Sequence, residues 1–381
     1  MSAPADPREP GLPGSGAAAP TMGVEEEFLL ADRRTRRTVP KASAVMDATR
    51  EVVGAAHVEL EFSPVQLETV SAVCADAQAL EKEITRLRGA AAAQAQLRDC
   101  FLVAAGAPVL GDPGPPPVQD RPRYGQIHQH FGPLGRDQCV GACHVHIGVD
   151  DPEEAVRVVN HLRVWAPLLL ALSANSPFWN GSDTGYASWR TLLWDRWPSS
   201  GPPPVLESAE HYESIVSAVV RSGAAMDPAM IYWQIRPSRH VPTVEVRVAD
   251  VMPEVADTVA YALLVRALVS VSLDRVREGR PAPGVPETVL RAASWCAARH
   301  GMTGSLLDTC RPEALPVPAW QLADSLMALV EPRLTAWGDL RTVSAWLLDL
   351  RERGTGATRQ RTVAARHGRL EAVVDALRVG P

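Results

Sequence analysis

Met22-Gly23-Val24-Glu25-Glu26-Glu27-Phe28-Leu29-Leu30 is the stretch whose reading decides the fold. It has the alternation of a half-buried strand. Glu25 and Glu27, two residues apart, project from one face about 7 Å from each other. His57-Val58-Glu59-Leu60-Glu61-Phe62 repeats the pattern with Glu59 and Glu61, and Glu68 follows seven residues after Glu61. A third stretch, Val241 to Val248, sets Thr243, Glu245 and Arg247 on one face and Val244, Val246 and Val248 on the other.

Acids gathered on one sheet face repel one another and are costly to desolvate unless positive charge sits among them. Hard divalent cations supply it, because Mg²⁺ takes oxygen ligands and bridges substrate phosphates. Arg247 beside Glu245 suits the same picture, since a guanidinium clamps a transferring phosphoryl group. For a single pair, solvent-facing strand glutamates are the ordinary alternative. Three separate strands with the same pattern move the weight to a shared cation site. Cys143-His144-Val145-His146-Ile147-Gly148-Val149 adds two histidines on one strand face. Cys139 and Cys143 lie nearby, but neighbours such as Cys143 and His144 point to opposite faces, and the spacing matches no common zinc framework. His144 joining an oxygen-rich site, with a core cysteine beside it, fits better.

Around these strands the chain reads as an α+β protein. The first twenty residues are rich in Pro, Gly and Ala and are expected to be disordered, leaving 21–381 as a single catalytic domain. A helix is expected from Asp76 to Asp99, with Leu80, Ile84 and Leu87 on one face. Gly106 to Pro122, with six prolines, reads as a loop. After the strand Cys143–Val149, Asp151 and Pro152 start a helix. A second loop runs from Ser176 through Pro198–Pro204, and everything after Pro253 reads as helix, a buttress over 255–381. The 381 residues are 46% hydrophobic and 22% charged with net charge −6, which gives no basic footprint for nucleic acid. No secretory signal precedes the first strand, and Val164–Ala174 is too short to cross a bilayer. The six cysteines then read as free thiols of a cytoplasmic protein.

These residues resemble a specific family. Gly23-Val24-Glu25-Glu26-Glu27-Phe28, Glu59-Leu60-Glu61 with Glu68, and Cys143 to Val149 are similar to the type 2 glutamate–cysteine ligases, a group of carboxylate-amine ligases. So are Leu172-Ser173-Ala174-Asn175-Ser176-Pro177-Phe178-Trp179 and Asp183-Thr184-Gly185-Tyr186-Ala187-Ser188-Trp189-Arg190. Ile235-Arg236-Pro237-Ser238, Thr243 to Asp250 and Gly356-Ala357-Thr358-Arg359-Gln360-Arg361 complete the ordered set. The resemblance implies a core similar to glutamine synthetase, an antiparallel sheet forming a funnel with helices packed outside. It implies Glu25, Glu27, Glu61, Glu68 and Glu245 as ligands of Mg²⁺ or Mn²⁺, with His144 beside them. Arg247 with Glu245 would meet ATP, and Arg247 and Glu27 would carry catalysis.

The implied chemistry is ATP-dependent amide formation through an acyl phosphate, with glutamate and cysteine as the leading pair. Arg190 and Arg236 are candidates to clamp a substrate carboxylate. Tyr186 and Asn180 are candidate substrate contacts, and packing is the default explanation for Trp179, Trp189, Trp194 and Trp197. Gly106-Ala107-Pro108-Val109 and Gln234 depart from the family pattern in segments that shape the acceptor pocket. Three alternatives stay open: the same ligase chemistry on another acid and amine, a metal-dependent hydrolase built on His144, His146 and glutamates, and a non-catalytic relative. The expected partners are small-molecule substrates, without nucleic acid or membrane. A homodimer through the helical buttress is compatible with the sequence but not required by it.

Overall fold

β1, Met22–Asp32, is the spine of a seven-stranded sheet. The computed structural model describes residues 18–111, 118, 121–136, 138–311 and 313–380, so the expected disordered tail falls, up to residue 17, outside the described residues. The other strands of this sheet are β2, Val58–Leu60, β3, Gln66–Val70, β4, Cys100–Val103, and β5, Ala142–Gly148. A small hairpin, β6 Phe178–Trp179 with β7 Ser182–Asp183, lies apart from it. β8, Ile235–Pro237, and β9, Thr243–Asp250, complete the large sheet. The order is β2-β3-β1-β5-β9-β8, with β4 pairing the far end of β1. Every pairing in it is antiparallel.

Alternation separates the two faces. Val24, Phe28, Val145, Ile147, Val244 and Val246 are buried on the face opposite Glu25 and Glu27. Helices cover that face. Ala77–Gln96 starts where the Asp76 side chain accepts the Ala79 N–H at 2.8 Å, and it turns Leu80, Ile84, Leu87 and Arg88 inward. Pro152–Leu162 starts in the same way, with Asp151 accepting the Glu153 N–H. Val255–Arg277 is apolar on all sides and runs through the interior. It is the one helix among the described residues long and apolar enough to cross a membrane, and 89% of that window is buried inside the fold.

Several expectations are corrected. The His57–Phe62 strand stops at Leu60, so Glu61 lies beyond its end, and Glu59 is exposed opposite Glu68. The loop after Ser176 contains structure. Asn180 (φ 48°) and Gly181 (φ 92°) form the tight turn that joins β6 to β7, and Ser188 caps a helix over Trp189–Trp194. The C-terminal third is not wholly helical, because β10, Ser305–Leu307, pairs with β11, Pro316–Pro318. Pro316 and Pro318 lack the N–H that a continuing helix needs.

Candidate active site

The carboxylates form a diagonal row across the sheet, and the strand register creates it. Glu27 lies opposite Glu68 of β3, and Glu25 opposite His144 of β5. His146 lies opposite Glu245 of β9, which in turn faces Arg236 of β8. Glu61 comes in from the end of β2. Three sets of ligand atoms each lie within 4.8 Å of one another: Glu27, Glu61 and Glu68; Glu25, Glu68 and His144; Glu25, His146 and Glu245. All six metal-binding residues expected from the resemblance are therefore brought together, and His146 joins them. Its place was legible, since it shares the strand face of His144, but its role was not.

Hydrogen bonds fix the row. His144 Nδ1 is 3.0 Å from Glu25 Oε2, and His146 Nδ1 is 3.0 Å from Thr243 Oγ1. Ala142 N–H donates to Glu27 Oε2 at 3.0 Å. Arg236 Nε donates to Glu245 Oε2 at 2.7 Å, and Arg247 pairs with Glu245 Oε1. His144 Nε2 is buried without a hydrogen-bond partner among the described residues, 3.8 Å from Glu27 Oε1.

The two ends of the row differ electrostatically. Burial acts to raise the Glu25 carboxyl, but hydrogen bonds and charge from His144 and His146 outweigh it and hold Glu25 well below the usual range. Glu245 is likewise held low, with Arg247 and Arg236 overcoming its burial. Burial and the Arg247 charge push His144 down to about 4. At the other end, burial and the neighbouring Glu61 raise Glu27 to about 8. Burial raises Glu61 too, and burial with the surrounding acids raises Glu68 strongly. In the bare protein Glu27, at about 8, keeps its proton at neutral pH. A divalent cation would take the place of that proton and offset the burial that raises Glu61 and Glu68. The oxygen-rich donor set and the unpaired His144 Nε2 fit Mg²⁺ or Mn²⁺.

Beside the Glu27 end lies a cavity of about 170 Å³, walled by Phe62, Tyr124, Trp194, Trp197, Tyr232 and Gln138. Gln138 Oε1 is buried there without a partner among the described residues. Sequence reasoning missed this cavity, because its walls come from scattered loops and short elements with no shared spacing. A crevice next to it is lined by Arg190 and Arg247. The Nε–H groups of both arginines are buried and unpaired among the described residues. Arg190 otherwise donates to the carbonyls of Arg247 at 3.1 Å and Val248 at 3.4 Å.

The remaining predicted residues sit differently. Arg236 is occupied by Glu245 and the Ala229 and Ile231 carbonyls. Asn180 tips the β6–β7 hairpin, and Tyr186 packs against Trp189 and Trp295 beneath the Arg299 guanidinium. No hydrogen bond or ion pair joins Asn180 or Tyr186 to the carboxylate row among the described residues.

Comparison with known proteins finds relatives over most of the chain. The family model described as glutamate-cysteine ligase family 2 matches residues 21–376. "Putative glutamate--cysteine ligase 2-1" of Saccharopolyspora erythraea is 48% identical over 356 residues, covering 93% of each chain. "Putative glutamate--cysteine ligase 2" of Salinispora arenicola is 44% identical over 359 residues, 94% of this chain and 93% of that one. Among solved structures, the fold is similar to glutamate–cysteine ligase from Francisella tularensis in complex with AMP. That match has a TM-score of 0.68 at 14% identity, covering 95% of this chain and 88% of that chain. It is also similar to a bifunctional glutathione synthetase from Pasteurella multocida, with a TM-score of 0.64 at 13% identity over 94% of this chain and 52% of that one.

Proposed function

The chain belongs to glutamate-cysteine ligase family 2, and from that membership we propose that it joins the γ-carboxylate of glutamate to the amine of cysteine. The enzyme is an ATP-dependent carbon–nitrogen ligase. The observation that carries the reading of its site is the diagonal row from Glu68 to Arg236, with an aromatic cavity at its Glu27 end and, beside that cavity, a crevice lined by Arg190 and Arg247.

The γ-carboxylate oxygen attacks the terminal phosphorus of ATP, so that a C–O–P link forms and ADP leaves. The amine then attacks the acyl carbon, the C–N bond forms, the C–O bond to phosphate breaks, and the surplus proton passes to solvent. The three carboxylate and histidine sets would hold Mg²⁺ or Mn²⁺, which neutralises the phosphoryl oxygens during transfer. Arg247, which lines the crevice and has its Nε–H unpaired among the described residues, stabilises the transferring group. Arg190, with its own free Nε–H, holds a carboxylate of the donor acid. Arg236 keeps Glu245 in place and does not clamp substrate. Tyr186 and Asn180 shape the loop that leads to Arg190. The aromatic cavity receives the amine, because it adjoins Glu27 and Glu61 and offers Gln138 Oε1 as an unpaired acceptor. Six free cysteines suit a reducing compartment, and the reading places the enzyme in the cytoplasm.

ADP release is the test. With ATP, Mg²⁺, glutamate and cysteine, release is expected to depend on both amino acids, and hydroxylamine in place of cysteine is expected to give γ-glutamyl hydroxamate. Faster turnover with a different acid or amine reassigns the substrates within the same chemistry. Bond cleavage with zinc and no ATP moves the protein to the hydrolases.

A further inference from the structure

Asp250 closes β9, five residues beyond Glu245, and is only 1% exposed. Its carboxylate collects three donors. Oδ2 accepts the Asn175 N–H at 2.8 Å and the Ser176 hydroxyl at 2.7 Å, and Oδ1 accepts the Ser188 hydroxyl at 2.8 Å. Residues 175, 176 and 188 bracket the hairpin loop that runs into the helix Trp189–Trp194. Both serines pass the connection on. Ser176 Oγ accepts the backbone N–H of Arg190 at 3.0 Å, and Ser188 Oγ accepts that of Thr191 as the helix cap.

A helix of six residues has no stability of its own, so its position is set by what grips its start. The grip is Asp250. From the first turn, Arg190 reaches back to β9 and donates to the Arg247 and Val248 carbonyls. The connections form a closed ring from β9 through Asp250, Ser176 and Arg190 to β9 again. Space for the carboxylate is built in at Gly106, where a Cβ would lie 2.8 Å from Asp250 Oδ2. Three donors alone do not require a charged acceptor, and burying a carboxylate is costly without a cation. The Arg190 charge acts on Asp250 in that sense, favouring its ionised form against burial.

We propose that Asp250 is a positioning residue, fixing the Arg190 guanidinium relative to Arg247 and so setting how tightly Arg190 holds the donor acid. The proposal rests on the reading of Arg190 as the carboxylate clamp.

Hydroxamate formation tests it, because hydroxylamine needs no contact with the aromatic cavity. Asp250→Asn keeps the shape but turns one acceptor into a donor facing donors. KM for glutamate is expected to rise at least tenfold while KM for ATP stays within twofold. Ser176→Ala, which removes one link, is expected to shift glutamate KM three- to tenfold in the same direction, and it decides the matter if Asp250→Asn does not fold. A purely structural Asp250 would lower the active fraction or kcat and leave glutamate KM unchanged. That result, or a parallel rise in both KM values, overturns the proposal. Arg190→Ala separates the two layers. If it leaves glutamate KM unchanged, the clamp itself is wrong. If it raises KM while Asp250→Asn and Ser176→Ala do not, only the positioning role falls.

Discussion

Glu27 stands where the carboxylate row meets the aromatic cavity, and its environment makes it a sensitive probe. Glu27→Gln keeps the side-chain shape and the Ala142 hydrogen bond but removes a negative ligand. It is expected to lower ADP release roughly a hundredfold or more, the scale seen when one stabilising group is lost from a preorganised site. Near-normal ADP release would remove Glu27 from the cation site. His146 shows how far single residues could be read from sequence. Alternation put it on the right face, but only the cross-strand pairing of β5 with β9 sets it beside Glu245.

At the level of elements, β1 carries both halves of the design. Glu26, between Glu25 and Glu27, points the other way and is buried against Arg88. Arg88 Nε donates to Glu26 Oε2 at 2.9 Å, and its Nη2 donates to Oε1 at 2.6 Å and to the Met252 carbonyl at 2.8 Å. Removing one partner of a buried ion pair costs about 3–5 kcal/mol. Glu26→Ala is therefore expected to destabilise by about that much in urea unfolding, and the Glu26→Ala/Arg88→Met double variant is expected to recover part of the loss. Additive losses would show that the pair contributes nothing as a pair. The long alternating elements, β1, β5 and β9, were legible because one apolar face imposes a period of two. Glu61 was read in the right place for the wrong reason. The strand ends before it, and the chain delivers it to the cluster from the residue just past the strand end. β10 and β11 were hidden because a three-residue strand carries too few positions to show a period.

For the molecule as a whole, the bare site should be visible in stability. Glu27, raised by burial to about 8, keeps a proton that the unfolded chain releases near 4.5. Its contribution is complete below the unfolded value and is lost as pH rises through 8. His144 and His161, both lowered to about 4 chiefly by burial, act in the opposite sense, but only below about 6.5. The metal-free melting temperature is therefore expected to fall between pH 6.5 and 8. Glu27→Gln should flatten that slope, and saturating Mg²⁺ should abolish it; a flat profile without metal contradicts the assignment. The sheet, the outer helices and the carboxylate row were legible because they follow a period. The aromatic cavity was not, because its walls meet only in three dimensions. That division bears on how such a chain diversifies. A single inserted or deleted residue in β1 would turn Glu25 and Glu27 toward the helices and Glu26 toward the carboxylate row, so this strand can accept replacements but not changes of length. The walls contributed by Phe62, Tyr124, Trp194 and Tyr232 carry no such constraint. If the cavity is the amine pocket proposed above, new acceptors can be acquired along a lineage by exchanging those walls while the carboxylate row is inherited intact.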